Sequence, residues 1–164
     1  MKSIVELSLV AFVLIAFPAL SSEPMPGQSH GIAYPTGWKS WSTIAVSYRT
    51  DNQTVRTILG NDIAAKAARQ GDINPWPTGS IIGKVVWKQT ELNNWKAAKV
   101  PGKFIHAEFM FKDADKYVNT SGWGWARWVG LEQTPFVKGP QVCIACHTPV
   151  KDRDWVFTDP ASLP

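Results

Sequence analysis

The feature that most constrains this 164-residue chain is the pentapeptide Cys143-Ile144-Ala145-Cys146-His147, close to the C-terminus. Its two cysteines are the only ones in the sequence. The pattern Cys-x-x-Cys-His is typical of c-type haem attachment. Two thiols at this spacing reach both vinyl groups of one porphyrin, and the histidine that follows is placed to ligate the iron. The sequence therefore predicts haem c bound covalently through Cys143 and Cys146, with His147 as the iron ligand.

Three other kinds of site use a Cys-x-x-Cys pair, and the sequence favours none of them. A thioredoxin-like redox pair follows a βαβ unit, which the residues before Cys143 do not predict. A zinc site needs a fourth ligand, and the other histidines, His30 and His106, lack metal-ligand spacing. A disulfide suits an exported protein, but it leaves the adjacent His147 unexplained.

The N-terminal segment predicts export. Lys2 precedes an apolar run from Leu7 to Phe17, and small residues up to Ser21 suit a signal peptidase. The run is too short for a transmembrane helix, which needs about 18 apolar residues or more. We therefore predict a signal peptide over residues 1–21, a periplasmic location and no membrane span after cleavage. Export agrees with the haem prediction, because c-type haem is attached outside the cytoplasm.

Size and charge exclude two classes of protein. Removing 21 of the 164 residues leaves 143, which is the size of one ordinary domain. The formal net charge is +4. Lysine and arginine are scattered along the chain rather than gathered in a stripe, so we expect no nucleic-acid partner. Beyond the N-terminal segment, no hydrophobic stretch of the sequence is long enough to cross a bilayer.

Most of the remaining chain has the pattern of β-structure. Alternating apolar residues or a β-rich composition predict strands at residues 41–48, 54–59, 80–87, 102–111 and 123–129. Asn61 can cap a short helix over residues 62–70, which ends at Gly71. Residues 22–37 are predicted to form an irregular arm and residues 38–164 a single haem-binding domain. The predicted fold class is α+β, a mainly antiparallel β-sheet with a few short helices and haem c on one side.

Strand alternation groups the side chains that share a face of this sheet. On one face the 102–111 strand would carry Phe104, His106, Glu108 and Met110. A face of the preceding strand would carry Ile82, Lys84, Val86 and Lys88. Lys84 and Glu108 are thus ionisable groups among apolar neighbours, and they are either site residues or a solvent-facing cross-strand pair.

Several segments, taken in order, resemble the cytochrome P-460 family. They are Gly79–Lys84, Gly102–Glu108 with Lys112-Asp113, the haem motif, Asp154 and Val156-Phe157-Thr158. The resemblance covers most of the chain, from about Trp38 to Thr158. It implies a periplasmic mono-haem enzyme that oxidises hydroxylamine, with a mainly antiparallel sheet carrying the haem and usually a homodimer.

The resemblance also implies roles for individual residues. Lys84 matches the family's lysine, whose nitrogen is bonded to a meso carbon of the porphyrin, and Lys88 is its rival by strand alternation. Glu108 matches the carboxylate of the distal pocket, a general base whose pKa apolar walls would raise. His106 has no counterpart in the family pattern, and we expect it at the pocket edge or the surface. Arg56 lies in a family-like segment but receives no role.

Three functions stay open. The resemblance implies hydroxylamine oxidation, through an iron–nitrosyl to nitrous oxide or nitric oxide, with electrons passing to a partner cytochrome. The second is nitric-oxide binding of the cytochrome c′-beta type, with a hydrophobic cap from Phe104, Phe109 or the Gly122–Trp125 stretch. The third is an electron carrier in which His106 or Met110 occupies the sixth iron position. Lys84 and Glu108 together favour the enzyme, and Arg127 is a candidate partner for a haem propionate.

Overall fold

The computed structural model describes residues 26–162, so the predicted signal peptide lies outside the described residues. These residues form a six-stranded antiparallel sheet whose strands lie side by side in chain order. The strands are β1 (Ser42–Arg49), β2 (Thr54–Gly60), β3 (Ile81–Leu92), β4 (Trp95–Lys112), β5 (Trp123–Val129) and β6 (Thr134–Pro135). The helices are α1 (Asp62–Gln70) and α2 (Gln141–His147), with 3-10 turns at Trp38–Ser40, Val118–Thr120 and Thr148–Arg153. The predicted α+β class is confirmed.

Helix α1 begins and ends where the sequence predicts. The Asn61 side chain accepts a hydrogen bond from Ala64 N at 3.0 Å, and Gly71 ends the helix in the left-handed region. Asn61 Oδ1 also accepts from Ile81 N at 3.0 Å, so the same residue joins the helix to the start of β3. This double contact fixes α1 against the sheet.

The hairpin of β3 and β4 is longer than predicted. Strand β4 begins at Trp95 rather than at residue 102, and its first residues pair with the end of β3. The added segment is rich in lysine and alanine, which are depleted in strands, so composition gave no signal for it. The two-residue strand β6 was also not predicted.

Each face of the sheet carries its own apolar core. The first face packs against α1, α2 and the chain after α2, and its core includes Ile58, Ile82, Met110, Trp123, Trp125, Cys143 and Trp155. The second face packs against the N-terminal arm, and its core includes Ile32, Trp38, Val85, Ala107, Phe109 and Trp128. Successive side chains of a strand point to opposite faces, so each central strand contributes to both cores.

A β-bulge in β4 moves Phe104 to the second face. Val86 lies opposite His106, whereas the next residue, Trp87, lies opposite Phe104, so Ile105 is an extra residue in β4. Phe104 packs edge-on against Trp87, with ring centroids 6.2 Å apart. The prediction that Phe104 shares a face with His106 and Glu108 is wrong, because one extra residue reverses the alternation.

The described part of the predicted arm, residues 26–37, closes the outer edge of β5. Strand β6 pairs only with the last residues of β5. Beyond it, Arg127 N donates to Ser29 Oγ at 3.1 Å and His30 Nδ1 donates to the Trp125 carbonyl at 3.0 Å. Trp128 Nε1 donates to the Gly27 carbonyl at 2.8 Å. The arm thus supplies partners that an exposed strand edge lacks.

Candidate haem site

Three charged side chains cross the first face of the sheet in one row. Lys84 on β3 lies opposite Glu108 on β4, and Glu108 lies opposite Arg127 on β5. Lys84 Nζ is 3.2 Å from Glu108 Oε1, and Arg127 Nη2 is 3.0 Å from Glu108 Oε2. His106 Nε2 also lies 2.6 Å from Glu108 Oε1. We call Lys84, Glu108 and Arg127 the charged row.

The carboxyl group of Glu108 is mostly buried, and its side chain is 17% exposed. Burial alone would raise its pKa, because desolvation disfavours the charged form. The hydrogen bond from His106 and the charges of Lys84 and Arg127 outweigh burial and hold the pKa of Glu108 well below its usual range. The predicted rise of this pKa is therefore wrong, and Glu108 is an anion at neutral pH.

We expect the Glu108→Gln variant to lose less stability in acid than the wild type. A depressed pKa in the folded state means that the Glu108 contacts stabilise the fold fully above the unfolded pKa, about 4.3. That contribution is lost as the pH falls through the folded value. Urea unfolding of each protein at about pH 7 and about pH 3 gives the decrease in its free energy of unfolding between the two pH values. Equal drops in the two proteins would contradict the expectation.

Helix α2 carries the haem motif against this row. Cys143 and Cys146 are free, and their positions three residues apart bring both onto one side of the helix. Cys143 is buried in the core of the first face, while Cys146 is exposed. Burial raises the pKa of the Cys143 thiol, and the charges of the row also act on it. The attachment helix and the charged row therefore border one region.

His147 is held with one ring nitrogen available. Its Nδ1 lies 2.6 Å from the Trp155 carbonyl oxygen, which can only accept, so Nδ1 carries the proton and the lone pair is on Nε2. The ring packs against Trp125 and Phe157, with centroids 5.8 and 5.2 Å apart. Burial lowers the pKa of His147 and so favours the neutral ring, which is the metal-binding form.

Unpaired donors on the first face fit a planar group that carries acceptors. In the described residues, buried nitrogens without a hydrogen-bond partner include Arg56 Nε, Arg127 Nε and the indole Nε1 of Trp123, Trp125 and Trp155. Folded proteins leave few such groups, and each calls for a partner. Within residues 26–162, no group of three or more His, Cys, Asp or Glu could hold a bare metal ion. The groups on this face suit a haem with its propionates rather than a zinc ion. They are two thiols, one imidazole nitrogen and the unpaired donors.

The family model of cytochrome P460 matches residues 35–158. The chain belongs to the cytochrome P460 family. The match includes the charged row, α2 and the segment that holds the His147 ring. As a member of the cytochrome P460 family, the chain is a haem protein of the oxidoreductase type, and the members of this family are periplasmic. No curated protein matches the sequence. No helix in residues 26–162 is long and apolar enough to cross a membrane.

The structure separates Lys84 from its rival. Lys84 contacts Glu108 in the charged row, and the Lys84 side chain is 31% exposed. Lys88 is further along β3, where its Nζ donates to the Asn52 carbonyl at 3.1 Å on the exposed surface. The two predicted site residues Lys84 and Glu108 do form a cross-strand pair, and that pair lies beside the haem motif rather than in open solvent.

The aromatic side chains proposed for a hydrophobic cap are divided between the faces. Phe104 and Phe109 belong to the second core, so the cap predicted from them for the nitric-oxide-binding alternative is wrong. Trp123 and Trp125 lie on the first face. Met110, the candidate sixth ligand, is buried in the core of that face.

Two ion pairs were not predicted from the sequence. Strand alternation places Arg127 on the face of Trp123 and Trp125, and that signal could have found its contact with Glu108. The second pair joins Lys112 to Asp154, 42 positions apart, and is buried. Both residues lie in the segments that resemble the family, but no local pattern pairs residues so distant.

Proposed function

We propose that this protein is a periplasmic haem c oxidoreductase that oxidises hydroxylamine and passes the electrons to a partner cytochrome. The observation that carries the proposal is the buried Glu108 anion, which lies in the charged row beside the haem-attachment helix. Bound haem would supply an iron with one open position and would take up the electrons of the substrate. Glu108 would provide the base that accepts the protons released together with those electrons.

Four residues would hold the haem. The thiols of Cys143 and Cys146 would form the two thioethers, and His147 would ligate the iron through Nε2. The Lys84 amine would form a third covalent link to a meso carbon, with loss of one hydrogen from nitrogen and one from carbon. This is a two-electron oxidation, and a two-electron oxidant such as a peroxide would take up the electrons and be reduced to water. This link requires the neutral amine, because only the lone pair of nitrogen attacks a ring carbon.

The contacts of Glu108 provide a route for protons. Glu108 lies on the first face, where it would accept substrate protons, and Arg127 Nη2 donates to its carboxylate at 3.0 Å. In the 2.6 Å contact, His106 Nε2 donates to Glu108 Oε1 and would hold the carboxylate in place while it takes up a proton. The His106 and Glu108 side chains are 19% and 17% exposed, so solvent can take that proton from the carboxyl group in turn. A positioned base contributes about 10²- to 10⁴-fold to a rate when its pKa lies near the working pH. Bonding of Lys84 to the porphyrin would remove one of the charges that lower the pKa of Glu108 and so would raise that pKa toward the working range.

The Lys84→Arg variant should carry its haem through thioethers alone. We expect the wild type to have the mass of the mature chain plus haem less two hydrogens, with a red-shifted Soret band. Lys84→Arg should have the full summed mass and an ordinary c-type spectrum, because the guanidinium cannot supply a neutral amine. Lys88→Arg is the matched control and should resemble the wild type. If Lys88→Arg lost the extra bond and Lys84→Arg kept it, the assignment of Lys84 would be wrong.

The activity itself is tested by steady-state turnover. Purified haem-loaded protein with hydroxylamine and an artificial electron acceptor should reduce the acceptor and release nitrous oxide or nitric oxide, measured by gas analysis. A protein that binds nitric oxide but does not consume hydroxylamine would instead support the gas-binding alternative.

A homodimer and a docking site for an acidic redox partner complete the proposal. The net charge of +4 supports the second, since charge complementarity speeds encounter.

A further inference from the structure

A buried ion pair joins the end of β4 to the segment that follows α2. Lys112 Nζ lies 2.7 Å from both carboxylate oxygens of Asp154, and the two side chains are 6% and 4% exposed. We propose that this pair positions the iron ligand His147 and thereby sets the reduction potential of the haem. The proposal rests on ligation of the iron by His147, and it does not depend on which substrate the protein oxidises.

Both partners are held by further contacts. Lys112 Nζ also donates to the Ser121 carbonyl at 2.7 Å and lies 4.9 Å from the centroid of the Trp123 ring. Asp154 Oδ2 accepts from Trp76 N at 2.7 Å, in the loop before β3. Asp154 is therefore fixed from two directions, by β4 through Lys112 and by the backbone at Trp76.

The backbone at Asp154 turns sharply toward His147. Asp154 and Trp155 have φ angles of +48° and +65°, so two successive non-glycine residues lie in the left-handed region. Such residues are costly, and they persist where surrounding contacts fix them. The turn aims the Trp155 carbonyl at His147 Nδ1, 2.6 Å away. The ion pair is the anchor of this turn, because Asp154 is its first residue.

The carbonyl contact has a chemical consequence for the iron. A hydrogen bond from Nδ1 fixes the orientation of a ligating imidazole and raises its basicity. A more basic ligand donates more strongly and favours ferric over ferrous iron, which lowers the potential. Lys112 and Asp154 are thus positioning residues that act through the Trp155 carbonyl.

The double variant Lys112→Met/Asp154→Asn tests the proposal in the haem-loaded protein. It removes one charge of each sign, so the net charge near the haem is unchanged. Asparagine also tolerates the left-handed backbone at residue 154. We expect a higher midpoint potential in a redox titration and a lower iron–histidine stretching frequency in resonance Raman spectra of the ferrous form. Neither readout requires hydroxylamine, so a failure here is distinct from a failure of the proposed function.

A neighbouring ion pair gives a matched control. Arg153 pairs with Asp159 on the surface of the same segment. Asp159→Asn should leave both readouts at their wild-type values. If Lys112→Met/Asp154→Asn does not load haem, the single variant Asp154→Asn is measured instead. Only its iron–histidine stretching frequency is then compared with the wild type, because loss of the Asp154 charge changes the potential by itself. If the variant that is measured has the wild-type iron–histidine stretching frequency, the proposal is wrong and the ion pair has only a structural role.

Discussion

The Glu108→Gln variant should oxidise hydroxylamine about 10²- to 10⁴-fold more slowly than the wild type. Glutamine has the same size, and its single amide oxygen can still accept a hydrogen bond from Arg127, but its NH2 group cannot accept one and the side chain cannot take up a proton. The loss should appear in kcat as well as in kcat/KM, because proton acceptance belongs to the chemical step. Steady-state kinetics normalised to haem content measure it.

Two controls isolate this effect. Glu91 on β3 pairs with Lys99 on β4 at 2.7 Å, and both are exposed, so Glu91→Gln makes the same chemical change away from the site. It should leave the kinetics unchanged. The absorption spectrum of Glu108→Gln should keep the red-shifted Soret band, which shows that Lys84 is still bonded. A Glu108→Gln protein with that band and wild-type kcat would exclude Glu108 as the proton acceptor.

The Lys112→Met variant should lower the free energy of unfolding by about 3–5 kcal/mol. Methionine fills the space of the lysine stem but leaves the buried Asp154 carboxylate without its cation. The Trp76 N–H remains as a hydrogen-bond donor to that carboxylate, and it does not replace a full charge. Urea titrations of the haem-loaded protein at neutral pH measure the change.

A nearby lysine and a second substitution complete that experiment. Lys116 is exposed and lies over the Tyr117 ring, so Lys116→Met should change the unfolding free energy by about 0.5 kcal/mol or less. Adding Asp154→Asn to Lys112→Met should restore most of the lost stability, because no unpaired charge then remains buried. If Lys112→Met were as stable as the wild type, the pair would contribute nothing to folding.

The parts of the fold set by local signals could be predicted from the sequence. Helix α1 follows from its cap at Asn61 and its stop at Gly71, since both act on the backbone within one turn. Alternation placed Lys84 and Glu108 each among the apolar side chains of its own strand, and the register of β3 against β4 brings the two opposite each other. The haem motif and the segments that precede and follow it indicated the family resemblance, and the cytochrome P460 match confirmed it.

The parts that depend on a partner elsewhere in the chain could not be predicted. The bulge at Ile105 is defined only by the register of β3 against β4, so no property of β4 alone reveals that Phe104 changes face. The low pKa of Glu108 depends on His106, Lys84 and Arg127 together, and the last two lie on other strands. Lys112 and Asp154 are 42 positions apart and meet because the segment after α2 packs against the first face of the sheet. These are tertiary interactions, and propensity and periodicity contain no information about them.

The N-terminal arm has a consequence for anyone who shortens this protein. The family match begins at residue 35, yet the side chains that bind backbone groups at the outer edge of β5 belong to Ser29 and His30. A chain trimmed to the matched region would keep every residue of the charged row and of α2. It would also expose the unpaired edge of β5 beside Arg127, and a second molecule can add its own strand to that edge. Expression of such a fragment should therefore yield aggregates, even though its catalytic residues are all present.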